Sequence, residues 1–387
     1  MKQDSLAPLR TRLLVFTFAR IILNTGFRLV YPFISTFARA LGVEVEAVAL
    51  AVTARSALGL AGPLLGNLGD SVGRKLAMLV GLLLFTAGFA LVLFVPTYPS
   101  LFAALLLGAA GKIIFDPAMQ AYLGDHVAYD RRSTAIAVTE VGWSGASLLG
   151  MPFIGWLIAR QGWIAPFPTL ALLMLFSVLL LWRVLPSDEK PTERRPTLRS
   201  AWRTILQYPS AMAALSITLL ASVGNEAVNI VYGLWLEGSF SLQVAALGAA
   251  SSVIGLAELS GEGLVATVTD RIGKKRAIGI GLLLTAGACL ALPILARNLI
   301  GVLFGLFLFY LSFEFTFVSL ISLVTELVPS SRATLMAGNL AAAAGGRALG
   351  ALSGPWLYSF GVFWNALFGA LLTLAAGLVL WRWVKVE

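Results

Sequence analysis

The chain has 387 residues; 58% are hydrophobic, 12% are charged, and the mean hydropathy is +0.88. This composition excludes a soluble globular enzyme, a disordered chain and a collagen-like chain. The single cysteine, Cys289, excludes a disulfide framework or a cysteine-built metal site, and the single histidine, His126, argues against a histidine-built zinc or haem site.

A bilayer core takes roughly 20 apolar residues per helix. Runs of that kind predict twelve spans, at 12–38, 46–69, 76–95, 100–124, 133–158, 165–185, 210–236, 242–268, 277–296, 299–325, 333–358 and 362–384. Only helices cross a membrane at these lengths. The first run is too long for a signal peptide, and no small-residue cleavage site follows it. The longest polar segment, 186–209, reads as a linker between two six-helix halves, 1–185 and 210–387.

Lysine and arginine set the orientation. With the N-terminus in the cytoplasm, that face holds 20 of the 28 basic residues, and the opposite face only Arg39, Arg160 and Arg297. Both termini are therefore expected in the cytoplasm, in a plasma (inner) membrane. The net charge of +9 is then a topology signal beside lipid headgroups, and no nucleic-acid partner is expected.

The halves echo each other. Gly66-Asn-Leu-Gly-Asp70-Ser-Val-Gly73-Arg74-Lys75 follows span 2, and Ala266-Thr-Val-Thr-Asp270-Arg-Ile-Gly273-Lys274-Lys275 follows span 8, at an offset of 200. Arg132-Ser-Thr134 and Arg332-Ala-Thr334 repeat at the same offset. With the twelve spans and the central linker, these segments make the whole chain resemble the major facilitator superfamily. Gly66–Lys75 is similar to that family's loop motif, with Ser71 in place of the usual arginine; the second copy keeps Arg271 but lacks the leading glycine. The resemblance implies two bundles related by an axis along the membrane normal, rocking about a midplane substrate site. It also implies a gate at the cytoplasmic loops, formed from Gly66, Asp70, Gly73, Arg74, Arg132, Asp270 and Arg332. By repeat symmetry Asp70 would pair with Arg332, and Asp270 with Arg132.

Eleven ionisable residues fall inside spans: Arg20, Arg28, Arg55, Lys112, Arg347, Asp116, Glu140, Glu226, Glu258, Glu262 and Glu314. At about 2.5–3.5 kcal/mol each on a lipid-facing helix, they would together cost roughly 30 kcal/mol, so they must face one another or water. Spans 3, 6, 9 and 12 have none in their cores. The resemblance implies the same division, with spans 1, 4, 7 and 10 lining a cavity and 2, 5, 8 and 11 forming its sides. Lys112 and Asp116 are four apart and can pair, whereas Glu258 and Glu262 place two like charges on one face. One of those two would hold a proton unless a basic group intervenes. The candidate proton carriers are Asp116, Glu140, Glu226, Glu258, Glu262 and Glu314. The candidate cavity lining is Asn24, Arg28, Tyr31, Lys112, Phe115, Trp143, Glu226, Asn229, Tyr232, Tyr310, Glu314 and Arg347.

Within span 1, Asn24–Phe33 looks like the first-span signature of drug-efflux members, and Pro32 allows a local break. Span 5, with Gly142, Gly145, Gly150, Pro152 and Gly155, loosely resembles the glycine- and proline-rich motif of proton-coupled exporters. These small residues serve close packing or a role in exchange. Exporters of this type carry an arginine in span 4 shortly before a glycine; here Leu107 and Gly108 occupy that stretch, and Lys112 follows Gly111. The expected function is a monomeric secondary transporter, not an enzyme. Its expected mode is proton-coupled efflux of a small amphipathic or polar organic compound, with the proton as coupling ion and no other cofactor. A lipid or lysophospholipid translocator, and proton-coupled uptake of a sugar or organic anion, are the alternatives.

Overall fold

In the computed structural model the described residues are 8–62, 72–186, 203–328 and 331–384, and side chains 129–134 and 333 are outside the description. All regular structure in the described residues is helical. Among them, nine helices are long and apolar enough to cross a membrane. The pair Leu9–Arg28 and Val30–Leu41, bent by 50°, makes a tenth as span 1. Of the two further expected spans, span 2 begins with Val45–Ala57 and a tight turn at Leu58–Ala61, and its remainder lies outside the described residues. Span 11 is Arg332–Tyr358, whose 27 residues reach about 40 Å.

The other spans are Arg74–Phe94 (span 3), Tyr98–His126 (4), Pro166–Val184 (6), Lys274–Leu295 (9), Leu299–Leu327 (10) and Val362–Trp383 (12). Besides span 1, three spans are interrupted where polar residues gather. Span 5 joins Tyr129–Gly145 to Met151–Gln161 through a wide π-helical turn, Ala146–Gly150. Span 7 breaks between Pro209–Asn229 and Tyr232–Phe240. Span 8, Val244–Leu264, continues through a second π turn, Val265–Thr269. Such turns release backbone groups and re-aim side chains. The break in span 1 has a local cause: Pro32 has no N–H to give the carbonyl of Arg28, and Phe33 leaves helical geometry at φ −118°, ψ 20°.

The packing repeats under a shift of six spans. Span 3 packs on 4 and 6, and span 9 on 10 and 12; span 1 packs on 5 and 6, and span 7 on 11 and 12. Between the first six spans and the last six, span 2 meets 11, span 5 meets 8, and the second limb of span 1 meets that of span 7. The first two of these contacts also exchange under the shift. The described residues nearest the chain ends and the linker, among them Leu185, Ser210 and Val384, lie at one end of the bundle, called the termini end; the other is the far end.

Among the described residues, close backbone contacts between the two groups lie from mid-depth to the far end. A Cβ on Gly155 would stand 3.0 Å from Gly248 Cα, and one on Gly255 would stand 2.7 Å from Ser144 O. A Cβ on Gly233 would stand 2.5 Å from Tyr31 O. Glycine is required at these crossings because the backbones themselves touch.

Candidate functional site

The ionisable residues of the spans are gathered into three polar layers. The layer nearest the termini end belongs to spans 1, 4 and 5. Arg20 pairs with Glu140 at 2.7 Å and with Asp116 at 3.4 Å. Lys112 pairs with Asp116 at 2.6 Å across one helical turn, and donates to Asn24 Oδ1 at 2.6 Å. Asn24 donates in turn to Gly142 O at 3.0 Å. Gly142 is needed there, because a Cβ would come 2.6 Å from Arg20 Cβ.

The middle layer joins the two groups of spans. Arg28 forms a two-pronged ion pair with Glu258, one bond at 2.8 Å, and also donates to Ser147 Oγ in the π turn of span 5. The two side chains are 9% and 4% exposed. Trp143 donates its indole N–H to Glu258 at 3.2 Å and lies 4.1 Å from the Arg28 guanidinium. Lys112 Nζ and the Arg347 guanidinium stand 5.4 and 5.9 Å from the same ring. Such aromatic contacts stabilise a desolvated cation by about 0.5–2 kcal/mol.

The third layer lies further toward the far end. Tyr31 donates to Glu226 at 2.8 Å across the groups, and Arg55 donates to Tyr31 Oη at 2.8 Å. Arg55 also donates to Phe27 O, near the break in span 1, and lies 3.9 Å over the Phe27 ring. Asn229 donates to Glu226 at 3.1 Å and accepts from Tyr310 at 2.6 Å. Tyr232 and Ser251 share a hydrogen bond at 2.9 Å. Beyond this layer, Glu237 of span 7 accepts from Ser35 and pairs with Arg39 at 2.6 Å.

Two carboxylates remain. Glu262 is half-buried and Glu314 is 8% exposed, and among the described residues neither makes a hydrogen bond or an ion pair. They adjoin one another: a Cβ on Gly261 would stand 2.9 Å from Glu314 Cβ. Glu258, Glu262 and Glu314 thus form an acidic cluster on spans 8 and 10, in which Arg28 pairs only with Glu258. Arg347 makes no hydrogen bond or ion pair to a described residue; it stands 5.9 Å from the Trp143 ring and within electrostatic reach of Glu226 and Glu314. Toward the termini end Gln120 is exposed and the Glu140 side chain is 36% exposed, so the protein leaves this side uncovered.

The expected site residues are thus mostly brought together. Phe115 joins none of these layers: it is fully buried against span 3, beside Gly81. Of the expected gate residues, Gly66 and Asp70 lie outside the described residues, as does the Arg132 side chain. Asp270 and Arg332 are both exposed. The basic pair of the loop motif makes contacts within each group. Arg74 pairs with Asp125 at 3.4 Å, and Lys274 pairs with Glu326, so each reaches the end of the following span. Lys75 donates to Trp182 O at 2.8 Å, and Lys275 to Val384 O at 2.5 Å, each at the C-terminus of the sixth span of its group. An ammonium there satisfies carbonyls that the helix leaves open. Gly73 and Gly273, at φ 99° and 88°, make the turn that starts spans 3 and 9. Glu237, Ser35, Ser147 and Arg39 were not among the expected site residues. Arg39 and Glu237 sit at span ends, where a charge alone reads as a loop residue.

The family model of the Major Facilitator Superfamily matches residues 16–224 and 214–387. The chain belongs to the major facilitator superfamily. The MFS-type transporter YceJ of Bacillus subtilis is 28% identical over 310 residues, covering 79% of this chain and 78% of that protein. YwfA of the same organism is 25% identical over 341 residues, covering 85% and 81%. Among solved structures, the fold is similar to a bacterial homologue of the human lysosomal transporter Spinster, in an inward-facing and unoccupied conformation. That match has a TM-score of 0.81 at 14% identity and covers 97% of each chain. It is also similar to a D-xylose–proton symporter, at a TM-score of 0.79, 16% identity and 98% of each chain. The chain is a multi-pass membrane transporter.

Proposed function

We propose that this transporter is a proton-coupled exporter of a small amphipathic or polar organic compound, acting as a monomer by alternating access between residues 1–185 and 210–387. The observation that carries the reading is Glu314, buried in the acidic cluster with no polar partner among the described residues. A carboxylate left charged in such a place costs far more than a protonated one, which pays only the smaller desolvation of a neutral polar group. Glu314 and half-buried Glu262 are therefore the groups suited to take up and release a proton, while Glu258 and Glu226 are held by Arg28 and Tyr31.

With the termini in the cytoplasm, the contacts from mid-depth to the far end close the outer side and leave Glu140, Gln120 and Glu262 facing the cytoplasm. Substrate enters from that side, lies against Trp143 and Tyr310, and offers the acidic cluster a hydrogen-bond donor or positive group that displaces the proton. Return requires Arg28–Glu258, Tyr31–Glu226 and Arg39–Glu237 to part, which opens the outer side and lets protons replace the substrate. A proton moving inward across ~100 mV supplies about 2.3 kcal/mol before any pH gradient.

The test is transport into or out of proteoliposomes under an imposed pH gradient, for a lipophilic cation, a neutral sugar, an organic anion and a lysophospholipid. At least one compound should move against its gradient when protons flow the other way, and Glu314→Gln should uncouple that movement. Transport indifferent to the pH gradient would overturn the proposal, and lysophospholipid as the sole cargo would replace it with lipid translocation.

A further inference from the structure

A groove of about 990 Å³ runs between spans 9 and 12 at the termini end, remote from the acidic cluster. Its rim is Lys274, Lys275 and Arg276, and its walls include Leu283, Leu378 and Trp381. These three wall residues are 66%, 68% and 77% exposed. In a multi-pass protein such apolar surface faces acyl chains. The groove exists because two wall positions lack side chains. A Cβ on Gly377 would meet nothing within 4 Å, and one on Gly279 only the Leu380 side chain at 3.6 Å.

The rim is strongly basic. Arg271, Arg276 and Arg382 are exposed beside Lys274 and Lys275, against Asp270 and Glu326 as local acids. Lys274 is taken by Glu326, and Lys275 spends one of its three donors on Val384 O. Arg276 has no hydrogen bond or ion pair to a described residue. Positive side chains above an apolar slot at the height of one leaflet match one chemistry: a phosphate-bearing anionic headgroup with an acyl chain below it.

We infer that the groove between spans 9 and 12 is a binding site for an anionic phospholipid of the leaflet at the termini end, its headgroup held by Lys275 and Arg276 and one acyl chain laid along Gly279 and Gly377. By the positive-inside reading this is the cytoplasmic leaflet. Occupancy would brace the start of span 9 against the end of span 12, where Lys275 already bridges them.

Native mass spectrometry of the full-length protein, with dioleoyl phosphatidylglycerol or dioleoyl phosphatidylcholine added in detergent, tests this. The wild type should retain phosphatidylglycerol in preference to phosphatidylcholine. Arg276→Gln, a change at an exposed position, should weaken phosphatidylglycerol binding about fivefold and leave phosphatidylcholine unchanged, as expected for one basic residue near a charged headgroup. Gly377→Leu should remove one retained lipid of either kind, because the side chain fills the slot. Equal retention of both lipids by the wild type, or equal loss of both in Arg276→Gln, would overturn the headgroup assignment. Unchanged lipid number in a folded Gly377→Leu protein would overturn the groove.

Discussion

The Arg28–Glu258 pair joins spans 1 and 8, and so joins the two groups of spans that the proposed alternating access would separate. Its side chains are 9% and 4% exposed, and its hydrogen bonds extend to Ser147 and Trp143. Removing one partner from such a pair leaves a buried charge and costs about 3–5 kcal/mol, whereas removing both loses far less. Arg28→Met and Glu258→Gln should therefore each destabilise the protein strongly, and the double variant should recover at least about 2 kcal/mol of the summed loss. Arg39–Glu237 provides the internal control, because Arg39 is 61% exposed and an exposed pair couples by no more than about 1 kcal/mol. The assay is reversible unfolding in mixed detergent micelles, run as two double-variant cycles. Additive losses at Arg28 and Glu258, within about 0.5 kcal/mol, would refute the reading of a buried pair that spans the groups.

Three further outcomes follow from the same geometry. Gly248→Leu should force spans 5 and 8 apart, since a Cβ there would lie 2.5 Å from Met151 O. Spin labels at exposed Gln161 and Gln243 should then report longer far-end distances, and an unchanged distribution in a stable protein would contradict the packing. Lys75→Met should lower unfolding stability by about 1 kcal/mol through the carbonyls of Trp182 and Leu185 while leaving substrate affinity intact; a loss of affinity of the same size would mean that Lys75 serves the site directly. Asp70→Asn should slow turnover more than it weakens binding, and equal loss of both in steady-state transport and equilibrium binding would exclude a gating role.

Much of this was legible in the sequence because membranes constrain it so tightly. The spans follow from apolar length, and the confinement of charges to spans 1, 2, 4, 5, 7, 8, 10 and 11 locates the polar interior. Local spacing was also readable: Lys112 and Asp116 pair as their four-residue separation allows, and span 1 breaks around Pro32. What spacing does not contain is the partner of a charge on another helix. Arg28 and Glu258 are 230 residues apart, and only the crossing of spans 1 and 8 shows that Arg28 is already occupied. The same crossing explains why Glu262, not Glu258, is the unpaired member of that helix face. Phe115 was misplaced for a related reason: an aromatic on a cavity-lining helix can equally face its neighbour, and here it fills the space that Gly81 leaves on span 3. Glycines of span 5 likewise show their use only in the fold, where Gly142 packs against span 1 and Gly155 against span 8.

The central claim is that substrate and proton compete through Glu262 and Glu314. Proton release from the purified protein in weakly buffered detergent tests it most directly, with substrate binding measured separately on the same sample. The account predicts that a compound that binds also releases protons, and that Glu262→Gln with Glu314→Gln binds the compound without release. Binding by the wild type with no proton released, or undiminished release from the double variant, would contradict it.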